Sequence, residues 1–162
     1  MSAIHVRPMT ARDIPATAAW LVELPLMQRY NLTVERARQQ FETALVQADI
    51  LLVADVGGDS ACGFVWCLPK GAFGRSVYLR LIGVRVDLSG AGVGAALLGA
   101  AEQAAVERKS DLVLLVSDFN TDAQRFYQRQ GYTQAGALPG YVLPDVSELI
   151  YWKPLGRTAA AT

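Results

Sequence analysis

Three alternating glycines, Gly90, Gly92 and Gly94, form the segment of this sequence that most strongly indicates a ligand-binding site. They follow an apolar strand pattern and open an alanine-rich stretch typical of a helix. Glycine removes the side chains that would block a phosphate, and the first N–H groups of a helix have no partner within it. Because the helix dipole adds positive charge at this end, the segment predicts an anion site that needs no lysine. A plain glycine-rich strand-to-helix turn is the simpler alternative.

Two common nucleotide-binding loops describe this segment poorly. Residues 90–95 formally match the dinucleotide fingerprint G-x-G-x-x-A. That fingerprint leaves its strand in a tight turn, whereas here residues 87–89 intervene, and too little chain follows for a doubly wound sheet. A Walker A loop is excluded because its Gly-Lys-Ser/Thr ending is missing.

Two short patterns occur here in a fixed order. After a strand, residues 89–94 read Ser-Gly-Ala-Gly-Val-Gly. The second pattern is carried by Asn120, Ala123, Phe126, Tyr127, Gly131 and Tyr132. They resemble the Gln/Arg-x-x-Gly-x-Gly/Ala and Asn-x-x-Ala-x-x-Phe/Leu-Tyr-x-x-x-Gly-Phe/Tyr signatures of the GNAT superfamily of N-acetyltransferases, which this sequence resembles along nearly its whole length. Ser89 replaces the long polar side chain usual in that family, so we expect backbone amides to hold the pyrophosphate.

The resemblance implies an acyl-CoA-dependent N-acyltransferase that uses acetyl-CoA as co-substrate and needs no metal. It implies direct attack on the acetyl group, within a ternary complex, by a primary amine of a small molecule or peptide. A non-catalytic acyl-CoA-binding module is the alternative, because Ser89 and the lack of an evident general base weaken the catalytic interpretation. The residues that the resemblance assigns to the cofactor are Ile82, Val84, Ser89, Gly90, Ala91, Gly92, Val93, Gly94, Ala95, Asn120 and Tyr127.

By the same resemblance, the pantetheine arm enters between the strand ending at Val86 and the strand ending at Ser117. The main chain of Ile82 and Val84 is expected to pair with the arm, and the Ile82 N–H to stabilise the oxyanion. Gly83 fits a β-bulge at this point. Close packing against the alanine-rich helix would also require a glycine there.

Tyr127 is the expected general acid of the reaction. A phenol, whose pKa is ordinarily about 10, can donate a hydrogen bond to, or protonate, a thiolate whose conjugate acid has a pKa near 8.5. The alternative is a core tyrosine beside Phe126. Asn120 is expected either to contact the pantetheine arm or to cap the following helix.

No general base is evident on the strand at residues 78–82, where many relatives carry a glutamate. A lysine acceptor, with a pKa of about 10.4, would need roughly 4–5 kcal/mol to lose its proton at neutral pH, whereas an α-amine would need only about 1 kcal/mol. We therefore expect an acceptor amine of lowered pKa, or a water chain that leads to Glu23, Asp118 or Tyr78.

The acceptor pocket is expected between the loop at residues 24–31 and the loop at residues 140–147. Its predicted substrate-binding side chains are Met27, Arg29, Tyr30 and Tyr141, which give it an apolar and aromatic character. Arg29 and Asp145 could select among acceptors by charge. A solvated arginine is the simpler interpretation of Arg29.

Composition places the chain among ordinary globular proteins. Its 162 residues predict one GNAT-like acetyltransferase domain over residues 1–155 and a flexible tail at 156–162. A formal net charge of zero argues against nucleic-acid binding. Cys62 and Cys67 are expected to be small buried hydrophobes, and His5, the only histidine, leaves little material for a metal site. Without a signal-peptide pattern or a membrane-length apolar run, we expect a cytoplasmic protein; the superfamily also allows a homodimer.

The periodicity predicts a mixed α/β sheet of the α+β type, in the order β-α-α-β-β-β-α-β-α-β-β. The predicted strands are residues 4–8, 50–56, 62–68, 77–86, 112–117, 132–135 and 147–152. The predicted helices are residues 13–24, one that Thr33 caps, 93–107 and 122–130, the last with a capping box of Thr121 and Gln124. This order resembles that of the GNAT-like acyl-CoA N-acyltransferase fold, which the family resemblance implies.

Overall fold

Seven β-strands and five α-helices are found in the computed structural model, which describes residues 2–156. The strands are β1 (Ile4–Pro8), β2 (Ile50–Val56), β3 (Asp59–Ala72), β4 (Ser76–Val84), β5 (Leu112–Ser117), β6 (Thr133–Pro139) and β7 (Ser147–Lys153). The helices are α1 (Ile14–Leu21), α2 (Pro25–Arg29), α3 (Val34–Val46), α4 (Val93–Glu107) and α5 (Thr121–Arg129). The strands form a mixed sheet in the order β1-β2-β3-β4-β5-β7-β6, which confirms the predicted mixed α/β fold.

The described residues divide into two compact units. The first contains residues 2–67 and 81–101, and the second contains residues 68–80 and 102–156. Within residues 2–156, none of the helices combines the length and the apolar character needed to cross a membrane.

An aromatic cluster fills the core of the first unit. Its strands β1, β2 and β3 pair antiparallel, and β3 carries Phe64 at a fully buried position. Phe41 of α3 packs edge-on against the Phe64 ring with centroids 5.1 Å apart, and Trp20 of α1 lies 5.9 Å from it. The Trp20 indole N–H also donates to the Ala61 carbonyl at 3.0 Å, so α1 is held against this strand by both apolar and polar contacts.

In the second unit, β5 is the central strand. It pairs parallel with β4, from Val77 opposite Leu112 to Leu79 opposite Leu114. It pairs antiparallel with β7, from Leu112 opposite Lys153 to Ser117 opposite Glu148. Side chains on both faces of β5 are buried, apart from the half-buried Leu115, and this burial accounts for its nearly continuous apolar sequence.

Side chains alternate between the two faces of β5 and β7. Leu115 therefore shares one face with its partner Ile150, and Ser117 with its partner Glu148. Tyr151 of β7 points to the opposite face, which α5 covers.

The predicted bounds of β2, α4 and β5 agree with the structure. The prediction of a loop in place of α2 is wrong, as is that of a first helix ending at Pro25. Proline is well suited to the first turn of a helix, and Pro25 begins α2. Of the predicted flexible tail at residues 156–162, the structure describes Gly156, whose N–H donates to the Asp111 carboxylate at 2.9 Å. Residues 157–162 lie outside the described residues.

Candidate active site

The glycine turn begins α4 as the sequence predicts. A 3-10 turn at Val86–Leu88 separates it from β4. Gly90 and Gly92 have φ values of 78° and 87°, at which an L-residue would be strained. A Cβ added at Gly90 would meet no atom within 4 Å, so the space beside the turn is open.

The backbone amides at the start of α4 are suited to an anion site. The N–H groups of Ser89 and Ala91 donate within the turn, to Val86 at 3.2 Å and Leu88 at 3.3 Å. The Ala96 N–H bonds the Gly92 carbonyl at 3.1 Å and closes the first turn of α4. The amides of residues 93–95 come before this bond, and such amides lack helical partners. A helix N-terminus at which glycines leave the backbone amides uncovered can bind a diphosphate.

Arg85 fixes the 3-10 turn before the glycines. Its guanidinium donates to Asp87 at 2.6 and 2.9 Å and to Asp59 at 2.8 Å. The hydrogen bonds from Arg85 lower the pKa of the Asp87 carboxyl. The Arg85 guanidinium is therefore hydrogen-bonded to carboxylates of its own unit, and these bonds stabilise the conformation of the turn.

Two glycines allow elements of the first unit to approach closely. A Cβ on Gly83 of β4 would lie 3.0 Å from the Phe64 ring and 3.5 Å from Trp20. The close packing that was the alternative for Gly83 thus exists, but against these aromatic rings. Gly63 of β3 is the glycine that faces α4, since its Cβ would lie 2.9 Å from Leu97. The β-bulge expected at Gly83 stays a prediction.

Tyr127 lies in a cluster of aromatic rings in the second unit. It is 5% exposed, with ring centroids 5.1 Å from Phe126, 5.6 Å from Tyr132 and 6.5 Å from Tyr151. Tyr127 therefore occupies a core position, which was the alternative to a catalytic role. It does not exclude that role, because a buried ring holds its hydroxyl in a fixed place.

Asn120 is the N-cap of α5. Its side-chain oxygen accepts the Ala123 N–H at 3.2 Å. The predicted capping box of Thr121 and Gln124 is wrong: the helix begins at Thr121, and the Gln124 amide donates to the carbonyls of Ser117 and Asp118. A contact between Asn120 and the cofactor stays a prediction.

A cavity of about 340 Å³ lies on the sheet face opposite Tyr151. It is lined by the turn at residues 71–73 and by apolar and aromatic side chains, among them Tyr78, Val113, Leu115, Leu138, Tyr141 and Ile150. Tyr78, a possible proton acceptor from the sequence, and Tyr141, a predicted substrate-binding side chain, both line this cavity. Met27, Arg29 and Tyr30 belong to the first unit, where Met27 is buried in the core, and their role in acceptor binding stays a prediction.

Glu148 is absent from the residues predicted from the sequence. It is 5% exposed, and both of its carboxylate oxygens accept the Ser117 hydroxyl, at 3.1 and 3.2 Å. It lies on the cavity face of β7, on the same side as Ile150. A buried carboxylate beside an apolar cavity is a typical arrangement for a proton acceptor or an amine anchor.

The three proton acceptors suggested by the sequence are less well placed. Glu23 is exposed, and the exposed Asp118 carboxylate accepts the Ser147 N–H at 3.0 Å. Burial, with further contributions from Tyr141 and Glu148, raises the pKa of Tyr78. A phenol with a raised pKa stays protonated at neutral pH, so Tyr78 is a hydrogen-bond donor there. In the described residues, His, Cys, Asp and Glu form no group of three or more that could hold a metal ion.

Comparison with known proteins identifies the family. A sequence model of the acetyltransferase (GNAT) family matches residues 17–132. The match covers more than half of the chain, and the chain belongs to this family. Members of this family use acetyl-CoA.

Solved structures agree with this fold. YncA from Salmonella typhimurium, solved with its cofactor acetyl-CoA, is 16% identical with a TM-score of 0.77, covering 99% of this chain and 98% of that one. Ribosomal-protein-alanine N-acetyltransferase from Brucella melitensis is 23% identical with a TM-score of 0.77, covering 93% and 99%. Nourseothricin acetyltransferase is 28% identical with a TM-score of 0.61, covering 66% and 65%.

Proposed function

We propose that this chain transfers the acetyl group of acetyl-CoA to a primary amine of a small molecule or peptide, by direct attack in a ternary complex. The observation that carries the proposal is the open turn with Gly90 and Gly92 in left-handed conformations at the start of α4. When bound, acetyl-CoA supplies the acetyl group as an activated thioester. The amides of residues 93–95 would hold its pyrophosphate, as expected of a helix N-terminus.

The end of β4 supports the placement of the oxyanion donor. The parallel register with β5 reaches Leu79, whereas β4 itself continues to Val84. The backbone of Ile82 and Val84 lies beyond this register, so it is suited to pair with the amides of a pantetheine arm. An Ile82 N–H directed at the developing oxyanion would contribute about 2.7–4 kcal/mol to transition-state stabilisation.

Proton transfer is assigned to Tyr127 and Glu148. The Tyr127 hydroxyl donates a proton to the departing sulfur, as a phenol next to a thiolate can. Glu148 accepts, directly or through a water molecule, the proton that the amine loses as the C–N bond forms. Because Tyr127 packs on Tyr151 and Glu148 shares the face of Ile150, the two groups act from opposite faces of β7.

Ligand binding and turnover test this proposal separately. Saturating acetyl-CoA should raise the melting temperature, as a ligand that binds only the folded state does, whereas NAD should not. Release of free CoA thiol is then followed over a panel of primary amines. Bound acetyl-CoA without acetylation of any amine would instead favour an acyl-CoA-binding module.

We also propose that residues 1–155 act as one acetyltransferase domain in the cytoplasm. The family match at residues 17–132 includes parts of both compact units, which supports a single functional domain. Cys62 and Cys67 are both buried, in keeping with small apolar core positions in a reducing compartment.

A further inference from the structure

The cavity beside Tyr78 has the chemistry of a site for an apolar group. The residues that line it are glycine, alanine, aliphatic and aromatic residues, and its volume of about 340 Å³ is enough for one small group. This is near the lower end of the range for small-molecule sites, roughly 300–1,000 Å³. A charged group placed there would lose its hydration without gaining an ionic partner from the lining.

Two exposed aromatic side chains stand at this cavity. Phe73 is 84% exposed and Tyr141 is 63% exposed, although both line it. Phe73 also has a φ of 58°, a left-handed conformation that is unfavourable for a bulky side chain. An apolar ligand in the cavity would remove part of both rings from water, and this burial favours binding.

A carboxylate lies on the same face of the sheet. Glu148 is two residues from Ile150 along β7, a separation of roughly 6.6–6.8 Å for a strand. Tyr78 lines the cavity on this same face, because its register partner Val113 lies on the face of β5 that carries Ser117, the register partner of Glu148. A ligand with one positive charge and one apolar group can therefore place the charge at Glu148 and the apolar group in the cavity.

We propose that the acceptor is a small primary amine that carries a single aromatic ring on a short alkyl linker. The ring binds in the cavity between Phe73, Tyr141 and Ile150, and the ammonium group binds Glu148. This inference rests on the proposed acetyl transfer, and it adds the class of acceptor. A polycation would place its further charges against apolar side chains, so compounds of that class are poor acceptors.

Phenethylamine, ethylamine and spermidine are the acceptors that test the proposal. With the acetyl-CoA-saturated protein, kcat/KM for phenethylamine should exceed that for either of the others by about a hundredfold, a difference of about 2.7 kcal/mol. A peptide with an amino-terminal phenylalanine is the fourth acceptor. Preference for spermidine, or for the peptide, over phenethylamine would overturn the assignment.

Variants at the exposed rings connect this preference to the cavity. Tyr141→Ala and Phe73→Ala should each raise KM for phenethylamine by about tenfold, the amount expected from loss of an aromatic contact. KM for ethylamine and for acetyl-CoA should change little. Val142→Ala is the matched control, since Val142 is 55% exposed, next to Tyr141, and is not one of the lining residues. Equal KM changes for phenethylamine and ethylamine would contradict the proposal.

Equilibrium binding separates this inference from the proposed function. If no amine is acetylated, calorimetric titration of phenethylamine into the CoA-bound protein still measures occupancy of the cavity. Binding that Tyr141→Ala weakens and Val142→Ala does not would support the site although acetyl transfer had failed. Acetylation of other amines, with no detectable binding of phenethylamine, would overturn the site and leave the proposed function intact.

Discussion

The Ser117 hydroxyl lies 3.1 and 3.2 Å from the two carboxylate oxygens of Glu148, although 31 residues separate them in sequence. The two residues are register partners across β5 and β7, and both are buried. A carboxylate held in this way keeps one orientation, with the cavity on its own face of the sheet. In the proposed mechanism, this relationship favours Glu148 over Glu23, Asp118 and Tyr78 as the proton acceptor.

Replacing this carboxylate should lower turnover strongly without weakening acetyl-CoA binding. Glu148→Gln keeps the shape of the side chain and an acceptor for Ser117 but cannot take up a proton. We expect kcat to fall by about a hundredfold or more, the usual contribution of a general base. The dissociation constant for acetyl-CoA, measured by calorimetry, should stay unchanged.

Ser117→Ala is the companion variant. Ser117 is a positioning residue in this scheme, so its loss should lower kcat by about tenfold while the pH dependence of kcat keeps its shape.

Full activity of Glu148→Gln would remove Glu148 from the mechanism. A parallel loss of acetyl-CoA binding would point to a structural role.

Tyr127→Phe tests the general acid. The ring contacts with Phe126, Tyr132 and Tyr151 are kept, so the protein should fold and bind acetyl-CoA normally. Without the hydroxyl, kcat should fall by about a hundredfold, measured as release of CoA thiol. Tyr132→Phe, in the same aromatic cluster, should have close to wild-type kcat. Unchanged turnover in Tyr127→Phe would make Tyr127 a core residue only.

The local parts of this fold follow directly from the sequence. The bounds of α4 could be predicted because Gly92 precedes it and a periodic alanine-rich stretch follows. β5 could be predicted because its six residues are nearly all apolar and too few for a typical buried helix. The start of α5 is harder to predict, since Asn120 and Thr121 both suit an N-cap, and only the structure shows which side chain accepts the helix N–H.

Glu148 could not be recognised in the same way. In the alternating segment 147–152, a glutamate is typical of the solvent face of a strand. It is buried because β7 pairs with β5, and this pairing is set by register between distant segments. The cavity has the same origin, since Tyr78, Leu115 and Tyr141 come from three separate parts of the chain.

Gly90→Ala tests the phosphate cradle. An L-residue at a φ of 78° is strained, and its Cβ would project into the open space beside the turn. We expect the melting temperature to fall modestly, for a cost of about 1–2 kcal/mol. The dissociation constant for acetyl-CoA, measured by calorimetry, should rise by about tenfold because the cradle is altered.

Gly99→Ala is the matched control for this substitution. Gly99 is exposed within α4, its Cβ would meet no atom within 4 Å, and it has no left-handed φ. Alanine there should stabilise the protein by about 0.4–1 kcal/mol and leave acetyl-CoA binding unchanged. Equal affinities in the two variants would exclude the turn as the phosphate site.

Arg7 joins three elements of the first unit through two carboxylates. Its guanidinium donates to Asp13 at 2.9 Å twice, and to Asp55 at 2.7 and 3.0 Å. These hydrogen bonds lower the pKa of both carboxyls below the ordinary value of 3.8. Their contribution to stability is therefore present above about pH 4 and is lost as the pH falls through the lowered pKa values.

Arg7→Gln should consequently destabilise the protein in a pH-dependent way. Since Asp13 is buried and Arg7 and Asp55 are partly exposed, we expect a loss of roughly 2–3 kcal/mol at neutral pH, below the range for fully buried pairs. The difference from wild type, measured by urea unfolding, should shrink below about pH 4 as the carboxyls protonate. Arg12→Gln, at an exposed position nearby, should change stability by less than about 0.5 kcal/mol. A difference that stayed constant down to about pH 3 would show that Arg7 acts through packing and not through these charges.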